Sequence, residues 1–178
     1  TALYADLEYV ASEQLLLAAA LRFEDLDDFG TTTNYRLGFN YAINDTLGVR
    51  ATVSSGFKAP TPGQSNAANI STQIIGGVLT NQGVIPSTSP AAVLRGGAGL
   101  GPENSNNYTL GAYATVGPFE VTIDYFDIDV EDRLSLSSDF TLTEDDLATL
   151  AGQGIDASDI SQFRFFTDAF NTSTSGID

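Results

Sequence analysis

Hydrophobic and polar positions alternate along most of this chain. In TNYRLGFNYAINDTLGVRATVSSGFKAP, Thr33 to Pro60, the residues Tyr35, Leu37, Phe39, Tyr41 and Ile43 are apolar. Asn34, Arg36, Gly38, Asn40 and Ala42 between them are polar or small. After Asn44-Asp45 the alternation resumes, with Leu47, Val49, Ala51, Val53 and Phe57 set against Gly48, Arg50, Thr52, Ser54 and Lys58. A period of two marks a strand with one apolar face. The spacing predicts an antiparallel hairpin turned at Asn44-Asp45. Its strands, about eleven and thirteen residues long, exceed the ~5–6 residues usual in globular sheets and suit a tilted membrane-crossing strand.

The same period appears on both sides of this hairpin. Residues 2–11 place Leu3, Ala5, Leu7, Tyr9 and Ala11 opposite Tyr4, Asp6, Glu8 and Val10, and a turn follows at Ser12–Gln14. Residues 15–25 form the next predicted strand, with Leu15, Leu17, Ala19, Leu21 and Phe23 on one face. A helix competes for LLLAAALRF, but the run follows a turn and sits between clear strands. Leu26–Thr32 reads as a loop. The alternation stops across 61–105, a stretch rich in Gly, Pro, Ser, Thr, Asn and Ala, with a short strand or helix expected within Ile70–Leu79. Loops of such length are usually functional or disordered.

Alternation returns at Asn106–Val116, turns at Gly117-Pro118, and continues with Phe119, Val121, Ile123 and Tyr125. The apolar set then becomes Phe126, Ile128 and Val130, which predicts a bulge near Tyr125-Phe126. The segment 134–162 reads as a second long loop holding one helix, Glu144–Ala151, capped by Thr143 with acids in its first turn. Phe163–Asp178 reads as extended, with Phe165, Thr167 and Ala169 outward and a turn near Asn171–Thr174.

Connection lengths then set the architecture. Short links near 12–14, 44–45 and 117–118 alternate with longer ones at 26–32, 59–105 and 134–162. An antiparallel up-and-down sheet of this kind has turns at one end and loops at the other, as outer-membrane barrels do. Arg22, Arg36, Arg50 and Lys58 all fall on the polar face, where Asp6, Glu8, Glu24, Glu120 and Asp124 can pair with them. An arginine on the lipid face would cost ~2–4 kcal/mol at mid-bilayer. The competing reading is a soluble β-sandwich or meander.

Composition narrows the function. The 178 residues carry 23 acidic and 7 basic side chains, a net charge of −16, which argues against nucleic acid. There is no His, Cys, Met or Trp, which removes most catalytic, metal and disulfide proposals. Without His or Cys no nucleophile–base pair is evident, and no enzyme activity, cofactor or metal site is assigned. No run of 18 apolar residues exists, so no transmembrane helix is expected. Acidic residues concentrate in Glu24–Asp28, Asp124–Asp132 and Asp139–Asp159.

With these patterns in place, FGTTTNYRLGFNYAINDTLGVRATVSSGFKAPTPGQ (29–64) resembles the barrel of TonB-dependent outer-membrane receptors, where a strand closing in GF-(R/K)-AP precedes a large outer loop. Here the residues are Gly56, Phe57, Lys58, Ala59 and Pro60. LGPENSNNYTLGAY resembles the start of the family's next strand, through Leu100, Pro102, Glu103, Ser105 and Gly111. FEVTIDYFDIDVEDRLSL resembles the strand after it. FFTDAFNTSTSGID resembles a later one, through Asn171, Thr174, Gly176, Ile177 and Asp178.

The resemblance implies an all-β, antiparallel transmembrane barrel segment of about 7–8 strands from a barrel of about 22, with the plug domain absent and the chain an internal fragment. It implies a Gram-negative outer-membrane location, contact with lipid and the rest of the barrel, and coupling to TonB. The expected function is active import of a scarce nutrient: siderophore-iron, haem, cobalamin or glycan. Phe57, Lys58, Gln64 and Arg95 are the candidates for the ligand vestibule. Two other readings stay open: a small closed structural or adhesive barrel, and a secreted β-domain binding glycan or calcium. Asp127–Asp132 invites the calcium reading but lacks an EF-hand's spacing, so a solvated strand end competes with it. Glu144-Asp145-Asp146 reads as helix first-turn charge. Tyr4, Tyr9, Phe23, Tyr35, Tyr41, Phe57, Tyr108, Phe119 and Tyr125 lie toward strand ends and suit aromatic girdles.

Overall fold

A computed structural model describes residues 1–27, 30–157 and 162–178. Asp28 and Asp159 of the acidic runs, and Phe29 at the head of the family-like stretch, lie outside the described residues. In chain order the elements are β1 (Ala2–Val10), β2 (Leu15–Leu26), β3 (Gly30–Asn44), β4 (Leu47–Lys58), α1 (Pro62–Ser65), β5 (Asn69–Ile75), β6 (Val78–Val84) and α2 (Pro90–Val93). There follow β7 (Glu103–Val116), β8 (Phe119–Leu136), β9 (Phe140–Thr141), α3 (Glu144–Gly152), β10 (Gln162–Arg164) and β11 (Phe166–Ile177). Two units form: Thr1–Lys58, Glu103–Glu131 and Asn171–Asp178 make the first, Ala59–Pro102 and Asp132–Phe170 the second.

The first unit is a seven-stranded sheet in the order β1-β2-β3-β4-β7-β8-β11. The predicted hairpin is β3–β4, with a register shift at Ala42/Asn44 beside its turn. LLLAAALRF is strand, not helix: Leu15–Leu26 pairs on both sides, with β1 and with β3. That second pairing reaches Leu26↔Gly30, so much of the expected loop at 26–32 belongs to the two strands. β4 and β7 pair without interruption from Leu47↔Ala114 to Lys58↔Glu103.

No bulge occurs at Tyr125-Phe126, because β7 and β8 stay in register from Asn104↔Glu131 to Val116↔Phe119. The surroundings change instead of the backbone. On one face apolar Tyr125 gives way to Asp127 and Asp129. On the other, the Phe126 ring lies over Gly176, whose missing Cβ would stand 2.6 Å from it. Asp124 and Asp178 exchange backbone hydrogen bonds of 3.1 and 2.9 Å, joining β8 to β11.

The second unit turns the expected loops into a packed body. β5 and β6 form a hairpin closed at Gly76-Gly77, whose φ values of 60° and 86° are what a two-residue type I′ turn requires. β10 joins β6 in parallel and β9 antiparallel, giving the sheet order β5-β6-β10-β9. Ile85, Ala91, Ala92, Leu142, Leu150, Ala157, Phe163 and Phe165 form its core. Phe140 stacks on Phe165 with centroids 5.6 Å apart. Burying a side chain such as Phe163 or Leu150 contributes about 1.5–3 kcal/mol. Phe165 therefore faces inward, not outward as expected, and β11 runs unbroken past Asn171–Thr174.

α3 begins after Thr143 as its sequence predicts. The Asp146 backbone N–H donates to Thr143 Oγ1, and the Thr143 N–H donates to Asp146 Oδ2 at 2.8 Å. This reciprocal pair satisfies two donors left without partners at a helix start.

Candidate functional site

Every buried apolar side chain among the described residues belongs to the second unit. The long strands of the first have two unlike faces instead. Leu37, Phe39, Leu21, Leu110 and Ile123 are 51%, 40%, 53%, 58% and 56% exposed, with no second layer above them. In water each would forgo about 1.5–3 kcal/mol of burial, so this face calls for an apolar medium.

The outline of the apolar face carries geometric information. Outward apolar positions run from Leu3 to Tyr9 on β1, Leu15 to Phe23 on β2, and Tyr35 to Ile43 on β3. They run from Leu47 to Val53 on β4, Tyr108 to Val116 on β7, and Phe119 to Tyr125 on β8. Asp25, Thr33, Ser55, Asn106 and Asp127 lie just beyond, at the loop end. One hydrogen-bonded row joins Tyr9, Leu17, Phe39, Ala51, Leu110 and Tyr125. It starts at the turn-end border on β1, passes mid-band on β3, and ends at the loop-end border on β8.

The border thus climbs by about six residues, ~20 Å, across five strand spacings of ~4.8 Å. That slope is about 40°, within the 35–45° tilt of membrane barrels. Along β3 the band is about 26 Å long, or about 20 Å along a barrel axis at that tilt, near the ~25 Å of outer-membrane barrels.

The other face is polar and ion-paired. Arg50 donates to Asp124 at 2.9 and 2.5 Å, reaching across β7. The residue beneath is Gly111, where a Cβ would stand 1.9 Å from the Asp124 carboxylate, so only glycine leaves this bridge its path. Tyr113 likewise crosses Gly48 to donate its hydroxyl to Asn40 at 2.9 Å. Lys58 pairs with Glu103 at 3.2 Å and Arg22 with Glu24 at 2.7 Å. Glu24 and Asp124 were expected partners. Glu103 was not, because 44 residues of chain separate it from Lys58 and only the strand register joins them.

The vestibule candidates are distributed as follows. Phe57 and Lys58 are consecutive on β4 and take opposite faces, Lys58 on the polar one. Gln64 closes the cap of α1, its Oε1 accepting from the Thr61 N–H at 2.9 Å and the Thr61 hydroxyl at 3.0 Å. Arg95 grips both carboxylate oxygens of Asp146 and donates to the Thr141 carbonyl at 3.3 Å. The Asp146 carboxyl is held below its ordinary range chiefly by the Thr143 hydroxyl and backbone N–H, with Arg95 adding to them against the effect of burial.

Of the expected girdle, Phe23, Tyr35, Tyr108 and Tyr125 border the band at the loop end and Tyr9 and Phe119 at the turn end. Tyr4 does not belong to it: it pairs with Arg22 on the polar face. Phe57 lies past the band's edge. Asp127, Asp129 and Glu131 point outward above Tyr125, whose hydroxyl donates to Asp127 at 3.1 Å. Among the described residues no group of three or more acids is placed to hold a metal ion.

A tilted antiparallel sheet, apolar outside and ion-paired inside, is the wall of an outer-membrane-type β-barrel. The sequence description "TonB dependent receptor-like, beta-barrel" matches residues 1–174, and the chain belongs to that family. The family is one of outer-membrane receptors and transporters, not enzymes. The siderophore receptor PirA from Pseudomonas aeruginosa superposes with TM-score 0.71 and 18% identity over 99% of this chain and 29% of its own. A ferric enterobactin receptor from Pseudomonas aeruginosa, PfeA, in complex with enterobactin, gives 0.69 and 17% over 99% and 23%. The vitamin B12 transporter BtuB of Vibrio cholerae is 40% identical over 48 residues, 27% of this chain and 8% of BtuB. The chain thus spans less than a third of either receptor.

Proposed function

We propose that this chain is part of the wall and outer loops of an outer-membrane importer. In this reading a scarce nutrient is captured on the outer side and drawn through the barrel by TonB acting on a plug domain. The observation that carries the reading is the apolar band, whose diagonal border gives a strand tilt suited to a bilayer. The ion-paired inner face supports it, since a barrel lumen holds water or a plug. β1 and β11 are open edges, which further strands of a larger barrel of about 22 would close.

The cargo class is iron-siderophore or cobalamin, drawn from what PirA, PfeA and BtuB are named for; haem and glycans belong to the same range. The segments 59–105 and 134–162 form the outer side of the vestibule, and Phe57, Lys58, Gln64 and Arg95 remain the candidates for shaping it. The test is uptake of labelled ferric siderophore or cobalamin by cells whose only importer is the receptor containing this chain. Uptake is expected with TonB and is lost without it. Equal uptake in both strains overturns the proposal.

A further inference from the structure

The apolar side of the wall is not smooth. Ala51 is the smallest side chain that β4 contributes to the band. Over it lies a furrow of about 380 Å³, walled by Leu17, Leu37, Phe39, Val53 and Tyr108. The furrow runs from Tyr108, at the loop-end border, to Phe39 at mid-band, half the height of the apolar face. Each strand that builds it, β2, β3, β4 and β7, already has both of its neighbours in the sheet. Strands that complete a larger barrel join at β1 and β11, beside this face and not over it. What meets the furrow is therefore what meets the band. A flexible hydrocarbon chain laid in it touches side chains on three sides, where a flat wall offers one, and so gains more dispersion contact.

The upper mouth of the furrow narrows the choice of lipid. Tyr108 lies opposite Asp127, and Asn106 just beyond it lies opposite Asp129 and Ser55. Asp129 and Glu131 are exposed. From β3 to β8 the outward positions beyond the border begin with Thr33, Ser55, Asn106 and Asp127, with no Lys or Arg among them. A head group above Tyr108 thus meets carboxylates and uncharged groups. A purely anionic head is repelled there, while a head that carries an ammonium finds its counter-charge.

We infer that the furrow over Ala51 is a lipid-binding site. One acyl chain of an amine-bearing phospholipid from the loop-end leaflet lies in it, with the ammonium beside Asp129 and Glu131. Hydrocarbon contact holds the chain, and the acids select the head. The inference rests on the membrane reading of the band and not on which nutrient the barrel imports.

Native mass spectrometry tests it. The receptor containing this chain is freed of lipid in detergent, then offered equal amounts of phosphatidylethanolamine and phosphatidylglycerol. Ala51→Phe fills the furrow and should retain one lipid fewer than the unaltered receptor. The lipid lost should be phosphatidylethanolamine severalfold more often than phosphatidylglycerol. Ala114→Phe, on the same face near the turn end of β7, should retain as many lipids as the unaltered receptor. Asp129→Asn combined with Glu131→Gln should keep the lipid but take the two heads equally. Folded-barrel mobility on gels confirms that each variant folds. A folded Ala51→Phe receptor that retains every lipid overturns the inference. So does a doubly neutralised receptor whose head preference is intact. Failure of the membrane reading is a separate result: the unaltered receptor would not enter vesicles of the same two lipids, which would overturn both.

Discussion

At the scale of single residues, the inner face depends on small side chains next to long ones. Gly111 clears the path for Arg50 to Asp124, and Gly48 for Tyr113 to Asn40. In the second unit the comparable junction is Asp146, which caps α3 and receives Arg95. Its folded pKa lies below the ordinary 3.8. The unfolded chain therefore binds the proton more readily, so the stabilisation is complete above 3.8 and fades as pH falls through the lower folded value. The protection of the first-turn amides of α3, measured against their intrinsic exchange rates, should fall as the pH drops below about 4. In Asp146→Asn that protection should be low already at neutral pH and should change little with acid. Identical acid profiles for the two proteins would remove Asp146 from this role.

At the scale of the element, strand position relative to the band decides the cost of a charge. Phe39 is mid-band on β3, and Thr33 lies beyond its border on the same outward face. Phe39→Arg should destabilise the folded receptor in lipid vesicles by about 2–4 kcal/mol, and Thr33→Arg by about 0–1. Equal losses in denaturant titrations would contradict the assignment. The long strands were legible because lipid on one side and a polar lumen on the other leave an unbroken period of two. The β5–β6 hairpin was legible only as a short strand or helix within Ile70–Leu79, since the many Ser, Thr, Asn and Gln residues dilute its apolar positions and mark the phase weakly. The supposed bulge at Tyr125-Phe126 was a change of surroundings along a straight strand, which period alone cannot tell from a change of backbone. The Lys58–Glu103 pair and the Arg95–Asp146 grip join positions far apart in sequence, and only the folded registers and turns bring them together.

At the scale of the whole molecule, the chain combines a wall without a dry core and a loop body with one. The wall has its apolar medium only in a bilayer, and the diagonal of its border states at what angle each strand crosses. Tyr9, Phe39 and Tyr125 share one hydrogen-bonded row, yet the band places them at its turn-end border, its middle and its loop-end border. Depth quenching by lipids brominated at known acyl positions, read from a fluorophore on a cysteine at each site in turn, measures this directly. Phe39 should be quenched most strongly by bromines near the bilayer centre, and Tyr9 and Tyr125 by those near the two opposite surfaces. Three equal depths, or no quenching by any lipid, would contradict the assignment of this face to the membrane.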